Sequence, residues 1–172
     1  MRTPRCGWRG PRREQTLGAE VIRVPLVARG NGGALRLALN YLSFAFFASI
    51  AARFRIRGGV DAIIVFEPSP ITVGIPAAVA ARRFRAPILF WVLDLWPDSL
   101  AAAGAVRSPA VLRGVGHLVR WIYRQCTRVL VPSRAFVADV VRHGTPPQRV
   151  RYFPNWIESE YASDNAGQRG GV

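Results

Sequence analysis

Short apolar runs and longer amphipathic or alanine-rich segments alternate along this chain. The short runs predict β-strands at 20–27, 61–66, 87–93, 127–131 and 149–153. The segments between them predict helices at 34–57, 71–84, 109–125 and 133–143, with a loop at 94–108. Because each connection is too long for a hairpin, the pattern indicates right-handed crossovers between parallel strands. The expected fold class is α/β, a parallel sheet with helices on both faces.

The ends of the chain differ in composition from its middle. Residues 1–18 are rich in Gly, Pro and Arg and predict an irregular basic segment. The α/β pattern occupies 19–157, and 158–172 is a polar, Gly-rich tail that we expect to be disordered. We therefore expect one folded domain, which 172 residues can form around a single core.

Charge and cysteine content narrow the function classes. All 24 basic residues are Arg, against 10 acids, and the net charge of +14 attracts phosphates, nucleic acid or anionic lipid without choosing among them. Cys6 and Cys126 are too few for a disulfide scaffold or a zinc site. The N-terminus lacks the apolar run of a signal peptide. A reducing, cytoplasmic location is the expectation.

Acidic and polar residues concentrate just after the predicted strands. Ligands of parallel α/β sheets bind outside the carboxyl ends of the strands, so these positions are the first candidates for a site. Four of the ten acids lie on or near those ends: Glu67, Asp94, Asp98 and Glu158. The alternative for each single position is a polar residue that ends a strand or caps the following helix.

The segment 94–100 (DLWPDSL) resembles a motif of bacterial family 4 glycosyltransferases, which build surface polysaccharides. Further segments resemble the family in register, and the similarity covers about residues 7–161: 21–25, 39–44, 72–76 and 153–157. The resemblance implies a GT-B enzyme, in which an N-terminal Rossmann-like domain binds the acceptor and a C-terminal domain binds a nucleotide-activated sugar. Catalysis takes place in the cleft between the two domains.

The resemblance extends over the N-terminal domain only. Residues 154–158 resemble the hinge into the donor domain, so 158–172 would lie at the former interdomain hinge and 19–157 would be an incomplete acceptor domain, truncated at both ends. In the family the first strand lies centrally in the sheet. Its loss is expected to leave an unpaired edge or to force 21–27 against a non-native partner.

The resemblance also implies roles for individual residues. Asp94 is the catalytic candidate, because a carboxylate in the cleft can hold an acceptor hydroxyl by accepting its hydrogen bond; the alternative is a turn cap on backbone amides. Trp96 is a candidate to stack on a sugar ring or to lie under a lipid-linked acceptor, with burial as the alternative. Glu67 lies at a cleft position where the family often has histidine.

Three further candidates for substrate binding follow the later strands. Asp98 is one, although a cap for the turn at 99–103 is the favoured interpretation. Ser133 begins a helix whose amides could face an anion, with simple capping as the alternative. Asn155 resembles a residue on the donor side of the cleft. No metal-ligand spacing occurs, and the resemblance implies no bound metal or cofactor, the nucleotide sugar being a substrate bound mainly by the absent domain.

The segment 37–52 carries no charge and is bracketed by Arg36, Arg53, Arg55 and Arg57. Its sixteen residues fall short of the roughly 20 that span a bilayer. It predicts either a core helix or an interfacial helix, and the family's polyprenyl-linked acceptors favour partial contact with an anionic membrane.

The expected function is therefore the acceptor-binding part of a glycosyltransferase, inactive alone, that moves a sugar from a nucleotide sugar to a glycan or polyprenyl-linked acceptor. Its expected location is cytoplasmic, peripheral on the inner face of the plasma membrane. The alternatives are a basic nucleic-acid-binding module, with stacking by Trp8 or Trp121, and a peripheral membrane protein without catalysis. Arginines that close helices, at 53–57 and 82–85, weaken the nucleic-acid interpretation, and no nucleic-acid partner is expected.

Overall fold

A computed structural model describes residues 13–30, 33–104 and 106–155. Its strands are β1 (Arg13–Thr16), β2 (Ala19–Ile22), β3 (Ile63–Glu67), β4 (Ile88–Val92), β5 (Arg128–Val131) and β6 (Val150–Tyr152). Its α-helices are α1 (Ala34–Phe54), α2 (Gly74–Phe84), α3 (Asp98–Ala102), α4 (Pro109–Gln125) and α5 (Phe136–Arg142). The expectations for Cys6, Trp8, Glu158 and the tail at 158–172 lie outside the described residues.

Strands β3 to β6 form one parallel sheet in the order β3-β4-β5-β6. Each successive strand is reached through a helical crossover, as the alternating pattern predicts. The predicted α/β fold class and Rossmann-like arrangement are confirmed. The strand and helix positions from β3 onward agree with the sequence pattern, except that a short helix, α3, lies within the predicted loop 94–108.

The core lies on one face of this sheet. Val65, Phe90, Val129 and Val150 are register partners across the four strands, and all four are buried. Residues of α2, α4 and α5 pack on them, among them Ala77, Ile122 and Val140. These alternate positions therefore point into the hydrophobic core.

The second face of the sheet is more open. Ile64 and Phe66 alternate with the core residues of β3 and are 70% and 57% exposed. The Phe66 ring lies edge-on to Trp91, which in turn contacts Phe153. Among the described residues, helix cover therefore does not extend over this face of the edge strand β3.

The hairpin β1–β2 corrects two expectations. Arg13–Thr16 is a strand within the segment predicted to be irregular, and the strand predicted at 20–27 is Ala19–Ile22, paired antiparallel with β1 outside the main sheet. The cause is the two-residue turn Leu17-Gly18, in which both residues have positive φ, the geometry of tight hairpins. Within the described sheet β3 is an edge strand.

Helix α1 packs against α2 and leaves much of its surface uncovered. The Arg83 guanidinium of α2 donates hydrogen bonds to the carbonyls of Ala52 and Ile56, each at 3.0 Å, and so satisfies acceptors at the end of α1. Over its 21 residues, α1 is long and apolar enough to cross a membrane, with a mean hydropathy of 1.5, and 11% of that apolar window is buried. The structure thus extends the helix beyond the sixteen uncharged residues.

Candidate functional site

Two acidic residues meet at the carboxyl ends of β3 and β4. Glu67 is the last residue of β3, and Asp94 follows β4 by two residues. The parallel register continues past β4, because the amide of Leu93 donates to the Glu67 carbonyl at 3.0 Å. The amide of Asp94 then donates to Oε2 of Glu67 at 3.4 Å. The sheet itself therefore brings together two of the predicted site residues.

Asp94 lies at the rim of the sheet and is half-buried. Its Oδ2 atom accepts a hydrogen bond of 2.8 Å from the indole Nε1 of Trp96, two residues along the loop. The expected alternative, a cap on backbone amides, is not the contact that this carboxylate makes. This hydrogen bond fixes the orientation of the carboxyl group, which lies at the edge of the sheet.

Trp96 is only 7% exposed, so the burial alternative is correct for this residue. Its ring meets Tyr41 of α1 edge-on, with centroids 6.0 Å apart, and belongs to the core cluster. An indole packed in this way has no free face for a sugar ring. Its role in this structure is to hold Asp94.

Glu67 is fully buried, with no exposed surface. Burial, reinforced by the neighbouring charge of Asp94, raises the pKa of its carboxyl to about 8. Burial, and then the charge of Glu67, also raise the pKa of the Tyr123 phenol on α4. At neutral pH the favoured state is therefore a protonated Glu67.

The remaining predicted residues lie apart from this pair. The Asp98 carboxylate does not cap its helix; it pairs with Arg142 at 2.6 Å, and Arg142 also pairs with Asp139. Ser133 is exposed, and its Oγ accepts from the Ala135 amide at 3.2 Å, which is a local turn contact. Ser133 does not cap α5, which begins at Phe136 with Ala135 as its N-cap and no side-chain cap hydrogen bond.

Asn155 is exposed and is the last described residue of the chain. It follows Phe153, whose amide continues the ladder by donating to the Val131 carbonyl at 2.8 Å. Asn155 therefore lies beyond the carboxyl end of β6, on the same edge of the sheet as Asp94. Its expected contact with a donor stays a prediction.

Sequence reasoning missed Tyr123 and Tyr41 as neighbours of the site. Both lie on helices, at positions that contact the site only after α1 and α4 have packed. The apolar stripe of α4, with Val119, Ile122 and Tyr123 buried, was the available signal for Tyr123.

Basic pockets lie elsewhere on the molecule. One is lined by residues 124–128 and Arg149, at the amino ends of β5 and β6, opposite the edge that holds Asp94. Cys126 in its wall is buried, and burial raises the pKa of its thiol to about 12, so it is not a reactive thiolate.

Trp121 is the candidate for base stacking that lies among the described residues. The guanidinium carbon of Arg82 lies over its ring, 5.9 Å from the ring centre. Within 13–30, 33–104 and 106–155, no three His, Cys, Asp or Glu side chains group as metal ligands.

A parallel sheet with helical crossovers and acidic residues at its carboxyl edge defines a Rossmann-like α/β domain. The glycosyl transferase 4-like domain family matches residues 2–156, and the chain belongs to this family. The crystal structure of Anabaena HepE in complex with UDP-glucose is similar to this chain at 15% identity and a TM-score of 0.40. That match covers 81% of this chain and 35% of the other, so the chain spans about a third of its length. A comparison with curated proteins finds no match.

Proposed function

We propose that this chain is the acceptor-binding half of a glycosyltransferase that moves a sugar from a nucleotide sugar to a lipid-linked glycan acceptor in polysaccharide biosynthesis. Family membership supports the class of reaction. The observation that carries the assignment of the site is Asp94, a half-buried carboxylate at the carboxyl edge of the sheet whose orientation Trp96 fixes. Parallel α/β sheets bind their ligands at this edge.

In the proposed reaction, Asp94 acts on the acceptor hydroxyl. Its carboxylate accepts the hydroxyl's hydrogen bond and takes the proton as the hydroxyl oxygen bonds to the anomeric carbon of the donor sugar. The bond from that carbon to the nucleotide diphosphate breaks, and the diphosphate leaves with the electron pair. Because Trp96 occupies one carboxylate oxygen, the second oxygen is the one offered to the acceptor.

Transfer also needs a site for the nucleotide sugar. The family resemblance assigns that site to a second domain, and the acceptor site proposed here lies on the parallel sheet β3-β4-β5-β6. We therefore propose that the described residues bind the acceptor and that a second domain binds the nucleotide sugar.

Acceptor binding tests this proposal directly. The probe is a short-chain polyprenyl-diphosphate-linked sugar, titrated calorimetrically into the wild type, Asp94→Asn and the control Asp61→Asn. Asp61 is exposed and precedes β3, at the opposite end of the strand. Loss of a charged hydrogen bond of about 1.5–3 kcal/mol weakens binding by about tenfold or more in Asp94→Asn. Equal affinity in all three proteins would show that Asp94 does not hold the acceptor.

We infer that α1 binds a membrane surface. Apolar side chains at helical spacing form an exposed stripe along it: Leu35, Leu39, Leu42, Phe46, Ile50 and Phe54, which are 39–76% exposed. Exposed arginines flank the stripe at Arg36, Arg53 and Arg57. An interfacial helix of this kind buries its apolar face among acyl chains while its arginines meet anionic headgroups. This supports the proposed location, peripheral on the inner face of the plasma membrane.

Vesicle sedimentation distinguishes binding of α1 to an anionic membrane from binding through hydrophobic contact alone. Leu42→Ser and Phe46→Ser together should reduce binding to anionic vesicles, because they interrupt the middle of the stripe. Val111→Ser is the control, since Val111 is 50% exposed on α4, away from the stripe. Equal loss in the control, or equal binding to zwitterionic vesicles, would contradict a role for α1 and its arginines.

A further inference from the structure

The Glu67 carboxyl group is buried beneath the proposed acceptor site. None of its surface is exposed, Oε2 accepts the amide of Asp94, and Oε1 has no hydrogen-bond partner among the described residues. No ion pair within the part of the chain that the structure describes involves Glu67. A buried carboxylate without a cation is costly, and a protonated carboxyl group in the same place costs much less.

Burial and the charge of Asp94 oppose the ionisation of Glu67 more strongly than the backbone amides of Asp94 and Leu93 favour it. Asp94 approaches from the loop after β4, and its charge disfavours a second negative charge beside it. Burial, and then the charge of Glu67, raise the pKa of the Tyr123 phenol on α4, so this phenol stays neutral over the pH range in which Glu67 ionises. Ionisation of Glu67 therefore places a second negative charge beside that of Asp94.

A continuous set of contacts leads from Glu67 to the rim of the site. Glu67 accepts the Asp94 amide, the Asp94 carboxylate accepts the Trp96 indole N–H, and the Trp96 ring packs on Tyr41. A new charge on Glu67 would repel the Asp94 carboxylate. The Asp94–Trp96 hydrogen bond is the next contact that such a displacement strains.

We propose that Glu67 is a positioning residue for Asp94 and makes the acceptor site dependent on pH, competent while Glu67 is protonated and weakened once it ionises. This role deepens the proposed function and rests on it. Glu67 touches no acceptor atom; it acts through the amide and the charge of Asp94. The site therefore loses affinity for its acceptor as the pH rises from neutral to alkaline.

The Trp96 indole N–H reports this event without any acceptor. Its signal in proton–nitrogen correlation spectra, assigned by its loss in Trp96→Phe, should shift with pH in the wild type with a midpoint near 8. In Glu67→Gln, which keeps the size and the acceptor oxygen, the signal should stay fixed over the same range. Glu14→Gln is the control, because Glu14 is a half-buried acid of the hairpin whose pKa is lowered, chiefly by its hydrogen bond from Thr16. The control should titrate like the wild type.

An invariant indole signal in the wild type, or the same titration in Glu67→Gln, would overturn the proposal. If Glu67→Gln does not fold, the side-chain carboxyl carbons of the wild type provide the test. The Glu67 carbon and the Trp96 indole must then titrate with one midpoint, and separate midpoints would overturn the coupling.

Acceptor affinity at two pH values separates this inference from the proposed function. Between about pH 6.5 and about pH 9.5, wild-type affinity for the polyprenyl-diphosphate probe should fall by about tenfold more than that of Glu67→Gln. Equal falls refute the role of Glu67 while leaving acceptor binding intact. No binding at either pH refutes the proposed function, and the indole titration then still decides whether Glu67 positions Asp94.

Discussion

Ionisation of Glu67 should lower the folding stability as the pH rises, and Glu67→Gln should remove most of this loss. Below pH 4.5 the carboxyl group is protonated in both the folded and the unfolded chain. Between pH 4.5 and about 8 the unfolded chain releases this proton and the folded chain keeps it, so folding stability falls as the pH rises. Above about 8 both states are ionised and the loss is complete. Gln cannot ionise, so the variant lacks this loss.

The size of the effect follows from the shift in pKa. A rise from 4.5 to about 8, at about 1.4 kcal/mol per tenfold change in acidity, sets an upper value of about 5 kcal/mol. Relaxation and water entry on ionisation lower it, so we expect a difference of about 2–5 kcal/mol between the two pH profiles. We compare the change of folding stability with pH and not the stability at one pH. The reason is that the buried glutamine amide alters stability by an amount that does not depend on pH.

Urea unfolding followed by tryptophan fluorescence, at about pH 5 and about pH 9, measures this difference. The wild type should lose more stability than Glu67→Gln over that interval. Glu14→Gln should follow the wild type, because the lowered pKa of Glu14 places its titration below the interval. Parallel profiles for wild type and Glu67→Gln would mean that Glu67 is not buried as a protonated acid.

Three further substitutions test the packing and the rim of the site. In Gly74→Ala the new Cβ would lie 2.4 Å from Cγ2 of Ile122, so we expect a loss of about 1–3 kcal/mol in thermal unfolding, and a smaller loss if it is made in an Ile122→Ala background. Additive losses would exclude the clash. Trp96→Phe removes the indole donor to Asp94 and should cost about 1–3 kcal/mol of stability and weaken acceptor binding; unchanged affinity would argue against this contact. Arg142→Ala breaks two ion pairs at a side chain that is 61% exposed, and should cost less than about 1 kcal/mol, a value that added salt reduces. A larger, salt-independent cost would point to packing instead.

The sequence pattern predicted the main sheet because its strands are apolar runs with clear boundaries. Pro87 begins the apolar run that forms β4, and two glycines, Gly58 and Gly59, precede the apolar run that forms β3. The hairpin was missed because Leu17-Gly18 forms a two-residue turn in which a leucine takes positive φ, which sequence signals rarely indicate.

The candidate site could be predicted in part for a similar reason. Glu67 and Asp94 follow adjacent parallel strands, so topology alone brings them together. The burial of Glu67 and Trp96 depends on α1 and α4 packing over the strand ends, and the pairing of Asp98 with Arg142 joins residues far apart in the chain. Such tertiary contacts have no local signal in the sequence.

The central claim is that acceptor binds at the carboxyl edge of the sheet, beside Asp94. Backbone proton–nitrogen spectra of the wild type, recorded while the polyprenyl-diphosphate probe is added, test it most directly. We expect the perturbed amides to cluster at the strand ends, at the non-proline residues of 67–69, 94–98, 132–134 and 153–155. Perturbations confined to 124–128 and Arg149, at the opposite edge, would contradict it.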